Sequence, residues 1–133
     1  MRRARHEVWV DEELTGGQSW WDTILGTIRG ADLFVLPSLS EGLGTSVLDA
    51  MALDIPVIAS DTGGLTELVG DGAGLLVPPG DAAALADAVA RMLDDGELRQ
   101  RAIAGGRARV ERYTVRRMAE GMRSVYDSVN ATR

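Results

Sequence analysis

The sequence is 133 residues long, 45% hydrophobic and 26% charged, the size and mix of one soluble domain. It has no cysteine, no lysine and a single histidine, His6, which excludes disulfides, cysteine nucleophiles, Schiff-base lysines, Walker-type phosphate loops and histidine-rich metal centres. The net charge of −6 is segregated: residues 1–98 carry 17 acids against 5 Arg, and residues 99–133 carry 3 acids against 9 Arg, so most of the chain is a poor partner for nucleic acid.

Short apolar runs alternate with helical patterns along the chain. Candidate strands are Glu7–Val10, Asp32–Leu36, Ile55–Ala59 and Gly74–Val77. Being apolar throughout rather than alternating, they suit strands covered on both faces. Helical segments are expected at 18–29, 44–53 and 64–70. In the first, Trp20, Trp21, Ile24, Leu25 and Ile28 form an amphipathic face suited to covering a sheet edge. Asp81 reads as the N-cap of a following helix on which Leu85, Val89, Met92 and Leu93 recur. Asp95-Gly96 interrupts, a further helix runs to Tyr113, and Thr114 caps the last one. There Met118, Met122, Val125, Tyr126 and Val129 form a stripe expected to be core. The expected fold is a single α/β domain over residues 1–133: a Rossmann- or flavodoxin-like three-layer structure of about four parallel strands, closed by C-terminal helices. No apolar run reaches 18 residues and nothing resembles a signal sequence, so no membrane span and a cytoplasmic location are expected.

The chemistry concentrates between Ala31 and Ser60, read as strand, loop, helix, strand. The loop Ser38–Gly44 leaves the carboxyl end of a parallel strand, where ligands sit in open α/β sheets. Gly42 and Gly44 allow close backbone approach. Free N–H groups near Gly44, Thr45 and Ser46 would open the next helix and can bind phosphate without cationic side chains. Glu41 at the loop tip and Asp49 two turns along the helix are carboxylates able to accept paired hydrogen bonds from vicinal hydroxyls. That suits a sugar and a ribose flanking a diphosphate. From spacing alone, a turn merely shaped by glycines with two solvated acids is the competing reading.

An ordered series of motifs over residues 31–130 resembles the latter part of the C-terminal, nucleotide-sugar-binding domain of family 4 GT-B glycosyltransferases. The series runs Ala31-Asp-Leu-Phe-Val-Leu-Pro-Ser38, Glu41-Gly-Leu-Gly44, Asp49-Ala-Met-Ala52, Ile55-Pro-Val-Ile-Ala-Ser-Asp61, Gly63-Gly64, Glu67-Leu-Val69, Asp71-Gly72 and Gly74-Leu-Leu-Val-Pro-Pro-Gly-Asp81. The resemblance implies that Glu41 contacts the donor sugar hydroxyls and Asp49, where the family usually has Glu, holds the ribose. It implies that Gly42, Leu43, Gly44, Thr45 and Ser46 approach the diphosphate. Gly63-Gly64 matches a turn at the ligand edge with a packing or a binding role, and Glu67 reads as a helix-start acid. The implied donor is a UDP-, GDP- or ADP-sugar, from which a hexose is transferred with retention; no metal and no cofactor are implied. The Arg and Lys with which the family neutralises the diphosphate are not recognisable. Losing two charge-assisted hydrogen bonds costs about 3–6 kcal/mol, which moves a micromolar site towards millimolar. The chain by itself is therefore expected to be inactive, needing a missing N-terminal glycosyltransferase domain or a partner chain.

Residues 6–36 look instead like part of a bacterial TIR domain. The similar features are a strand ending Trp9-Val10-Asp11, the loop Glu12–Gly17 and a helix beginning Gln18-Ser-Trp-Trp21. That likeness makes the chain truncated or chimeric, joined at a strand shared over Asp32–Leu36. It implies an interaction or signalling module, or an NAD hydrolase fragment, as the alternative function.

Overall fold

The computed structural model describes residues 6–10 and 20–132. Among these described residues, six helices and three strands follow in the order α1 (Trp20–Arg29), β1 (Phe34–Leu36), α2 (Thr45–Ala52), β2 (Val57–Ser60), α3 (Gly64–Val69), β3 (Leu75–Val77), α4 (Ala82–Asp94), α5 (Gly96–Val110) and α6 (Val115–Ala131). A 3-10 turn, Glu111–Tyr113, joins the last two. The strands form one parallel sheet in the order β1-β2-β3, with Phe34 opposite Val57, Ile58 opposite Leu75 and Ser60 opposite Val77.

Alternation along the strands sends side chains to both faces and makes the layers. Val57 and Ala59 of β2 join Val47, Ala50 and Met51 of α2 and Leu65, Leu68 and Val69 of α3 on one side, where Phe34, Leu36 and Leu76 also pack. Ile58 points the other way, to Ala88 and Met92 of α4, Ala102 of α5 and Val77. Met51, Ile58, Leu65, Leu68 and Met92 are fully enclosed. Each such side chain stabilises the fold by about 1.5–3 kcal/mol relative to exposure. Two helices start at the caps read from the sequence, Asp81 and Thr114, and Asp95, read there only as an interruption, caps a third. Asp81 accepts from the Ala84 N–H at 2.9 Å, Asp95 from the Leu98 N–H at 3.0 Å and Thr114 from the Arg117 N–H at 3.2 Å. Each cap contributes about 1 kcal/mol.

Three expectations are corrected. Among the described residues the sheet has three strands, not four: Glu7–Val10 forms no ladder, and Val8, Trp9 and Val10 are exposed. An apolar run becomes a strand only where a neighbour supplies its hydrogen bonds. Trp20 and Trp21 do not cover a sheet edge. They lie against each other with ring centroids 5.1 Å apart and stay exposed, while Ile28 and Ile24 are the residues of α1 that meet the core. The stripe on α6 is not core, since no residue of that helix is buried. The preceding helix passes at Val110 into the 3-10 turn, so that the helical segment ends at Tyr113 as expected. The loop Glu12–Gly17 and the residues Gln18 and Ser19 of the TIR-like pattern lie outside the described residues. Among those described, no helix is long and apolar enough to cross a membrane.

Candidate functional site

The chain leaves β1 at the carboxyl end of the sheet and returns into α2 through residues 37–44. Gly44 makes the return possible: it is the N-cap of α2 with φ 73° and ψ 52°, a left-handed conformation that costs other residues about 1 kcal/mol or more. It is also buried, and a Cβ there would lie 2.5 Å from Leu65 Cδ2. The Val47 N–H donates to the Gly44 carbonyl, no side chain caps the helix, and its first turn holds no acid. The Thr45 and Ser46 N–H groups therefore stand at the positive end of the helix without intrahelical partners.

The loop rests on a second turn. Gly63 (φ 53°, ψ −139°) and Gly64 lie directly beneath it, and the Gly64 N–H donates to the Gly42 carbonyl at 2.7 Å. A Cβ at Gly63 would overlap the Glu41 carbonyl oxygen, and one at Gly64 would come within 2.9 Å of Leu43 Cα. Of the two roles open to Gly63-Gly64, the structure displays the packing one: it is the floor that sets the height of the loop.

That floor is anchored through α3. The buried Arg109 guanidinium donates to the Glu67 carbonyl and, at 3.0 Å, to the Gly70 carbonyl, so one side chain satisfies two carbonyls at the end of α3. The Tyr113 hydroxyl donates to Glu67 Oε1 at 2.6 Å, and that bond to a carboxylate raises the phenol's pKa above its ordinary value. Glu67 thus lies in the first turn of α3, as read from the sequence, but its carboxylate has a specific partner. At the other end of α3, the Thr66 hydroxyl donates to Asp61 at 2.5 Å and ties down the turn.

The two predicted acids are held differently. Glu41 is half-buried; its Oε1 accepts from the Gly42 N–H at 3.1 Å and its Oε2 from the Ser38 hydroxyl at 3.4 Å. Each oxygen keeps further lone pairs for a ligand hydroxyl. Asp49 is half-buried on α2, one turn beyond Thr45 and Ser46 and on the same face. Burial pushes its carboxyl up from the ordinary value. No hydrogen bond links Glu41 to Asp49 among the described residues. Leu43 and Thr45 are exposed, so the outer side of the loop is open.

Ser38, which steadies Glu41, was missed in the sequence reading; its signal was a hydroxyl three residues before the acid in a turn. A cavity of about 170 Å³ was missed too. It lies at the carboxyl ends of the strands between Pro37, Ser60, Val77, Pro78 and Asp81, beside the loop and lined by none of the predicted site residues. Its signal was Ser60, a hydroxyl closing an otherwise apolar, fully buried strand.

The chain is similar to proteins of known family. The family model of glycosyl transferases group 1 matches residues 4–109, and so runs through the TIR-like segment 6–36. A phosphatidyl-myo-inositol mannosyltransferase of Mycobacterium leprae is 39% identical over 104 residues, which are 77% of this chain and 28% of that protein. Among solved structures, sucrose-phosphate synthase from Thermosynechococcus elongatus superposes with TM-score 0.71 at 38% identity, over 80% of this chain and 27% of the other. HepE from Anabaena, solved with UDP and glucose, superposes with TM-score 0.72 at 26% identity, over 79% and 29%. The chain thus spans under a third of the length of these relatives. The family model and these relatives match over most of its length, and the chain belongs to the glycosyl transferases group 1.

Proposed function

We propose that the chain is the nucleotide-sugar-binding, C-terminal part of a retaining hexosyltransferase of GT-B family 4, acting in the cytoplasm and completed by an acceptor-binding N-terminal domain or a partner chain. Glu41 accepts hydrogen bonds from the donor sugar's hydroxyls. The backbone of Gly42, Leu43 and Gly44 and the Thr45 and Ser46 amides take the diphosphate, and Asp49 holds the ribose. The observation that carries this reading is the loop 41–44, propped on Gly63-Gly64 so that the uncapped, acid-free start of α2 opens beside Glu41. A helix N-terminus contributes about 0.3–2 kcal/mol toward an anion, less than the two missing cations would supply. The chain alone therefore binds donors in the millimolar range and does not turn them over. HepE, which shares the fold over most of this chain, was solved with UDP and glucose, and that supports a UDP-sugar over a GDP- or ADP-sugar.

The alternative, a TIR-like interaction module or NAD hydrolase fragment, draws on the exposed Trp20 and Trp21 but lacks the closed loop at Glu41 that it needs. Titration of UDP-, GDP- and ADP-sugars by calorimetry tests the proposal. Binding of one donor, weakened tenfold or more by Glu41→Ala and by Asp49→Ala, supports it. No heat at millimolar ligand overturns it, and nicotinamide release from NAD would establish the alternative.

A further inference from the structure

Every strand of the sheet contributes a wall to the cavity of about 170 Å³ at its carboxyl edge. Pro37 follows β1, Ser60 ends β2, Val77 and Pro78 close β3, and Asp81 and Leu85 at the start of α4 form the far side. Side chains alternate along β2: Val57 and Ala59 face α2 and α3, and Ile58 faces α4. Ser60 therefore turns its hydroxyl toward α4 and into the cavity. The residue is 2% exposed, and among the described residues its hydroxyl has no hydrogen-bond partner. No described side-chain oxygen is sealed inside the protein without a partner, so this one opens onto the cavity. Asp81 Oδ1 accepts from the Ala84 N–H at 2.9 Å, which leaves Oδ2 to accept from a ligand.

These walls suit a neutral hydroxylated ring. A cavity of about 150 Å³ takes one six-membered carbon ring. Pro37, Val77, Pro78 and Leu85 offer apolar surface to the C–H faces of such a ring, and Ser60 and Asp81 meet its hydroxyls. A purely apolar ring would leave the buried Ser60 hydroxyl unpaired, and an anion would be repelled by Asp81 and the surrounding excess of acids.

The donor loop borders the same cavity. Pro37 begins that loop, Ser38 holds Glu41, and Leu39 reaches across to Gly80 on the cavity wall, where a Cβ would lie 3.5 Å from Leu39 Cδ2. On the donor-binding reading, the part of the protein that completes the chain leaves this edge open, since the donor enters there. Resting on that reading, we propose that the cavity is an acceptor subsite. It holds a pyranose or cyclitol ring of the hydroxyl compound that receives the hexose, with one ring hydroxyl on Ser60 Oγ and another on Asp81.

The test follows amide shifts of the chain by NMR during titration with methyl α-D-glucopyranoside, methyl α-D-mannopyranoside and myo-inositol, each to about 50 mM. One of them is expected to shift Ser60, Val77 and Ala82 with a millimolar Kd. Ser60→Ala should weaken that binding about tenfold and leave donor affinity unchanged. Asp81→Asn, which preserves the helix cap, should weaken it too. Ala82→Leu, which fills the cavity, should abolish it with unchanged circular dichroism. The absence of shifts with all three rings, shifts centred on residues 41–46, or binding indifferent to Ser60→Ala overturns the proposal. Cyclohexanol binding as tightly as the polyols overturns the hydroxylated ring as its ligand. Donor binding without ring binding overturns the subsite alone, whereas ring binding at Ser60 without any donor binding overturns the donor reading and the acceptor role with it.

Discussion

Replacing Gly63 with alanine should damage the loop that carries Glu41, whereas the same change at Gly42, inside that loop, should be nearly silent. Gly63 has φ 53° and ψ −139°, outside the conformations open to L-residues, at a cost of about 1–3 kcal/mol for alanine. Its Cβ would overlap the Glu41 carbonyl oxygen and lie 3.0 Å from the carbonyl carbon. Both are backbone atoms, so no change of rotamer relieves the clash. Regaining an ordinary carbon–oxygen contact of about 3.3 Å moves the loop by about 1 Å or more. That movement breaks the 2.7 Å bond from the Gly64 N–H to Gly42, worth about 1 kcal/mol. The sum is a destabilisation of about 2–4 kcal/mol. Gly42 meets nothing within 4 Å and is exposed, so alanine there stays within about 0.5 kcal/mol of the parent. Urea unfolding followed by circular dichroism measures both changes. Titration of the nucleotide-sugar donor measures the loop separately, with a loss of tenfold or more expected for Gly63→Ala. Equal stabilities of the two variants, or a Gly63→Ala chain that binds like the parent, would refute the reasoning.

Asp49→Asn should trade binding for stability. Burial raises the Asp49 carboxyl in the folded state, so the folded chain holds that proton more tightly than the unfolded one. Stability therefore falls as pH rises from 3.8 through the raised value. The asparagine variant should melt higher than the parent at pH 7, match it below pH 3.8, and bind the donor more weakly. Parallel melts at the two pH values check the sign. Tyr113→Phe removes the bond to Glu67 and should cost about 1 kcal/mol in urea unfolding near neutral pH. Because the phenol is raised, that contribution is present below pH 10 and lost above it, so parent and variant should converge in alkali. Arg109→Met leaves the Glu67 and Gly70 carbonyls without their donor, and a loss of about 2–5 kcal/mol should appear as early hydrogen exchange in α3.

Much of the fold was legible in the sequence because it depends on local rules. Three apolar runs separated by helical periods read as βαβ units, and Asp81 and Thr114 cap the helices they precede. The candidate site was legible as far as its residue types went: glycines where the chain turns at the sheet's carboxyl edge, and carboxylates around them. Tertiary structure decided the rest, since an apolar pattern reports that a side chain avoids water without saying what covers it. Val8–Val10 lack a strand to pair with, and the α6 stripe lacks a facing layer, though both read as core. Likewise Gly42 and Gly63 are the same letter, and only the backbone passing over Gly63 makes that one indispensable to where Glu41 stands.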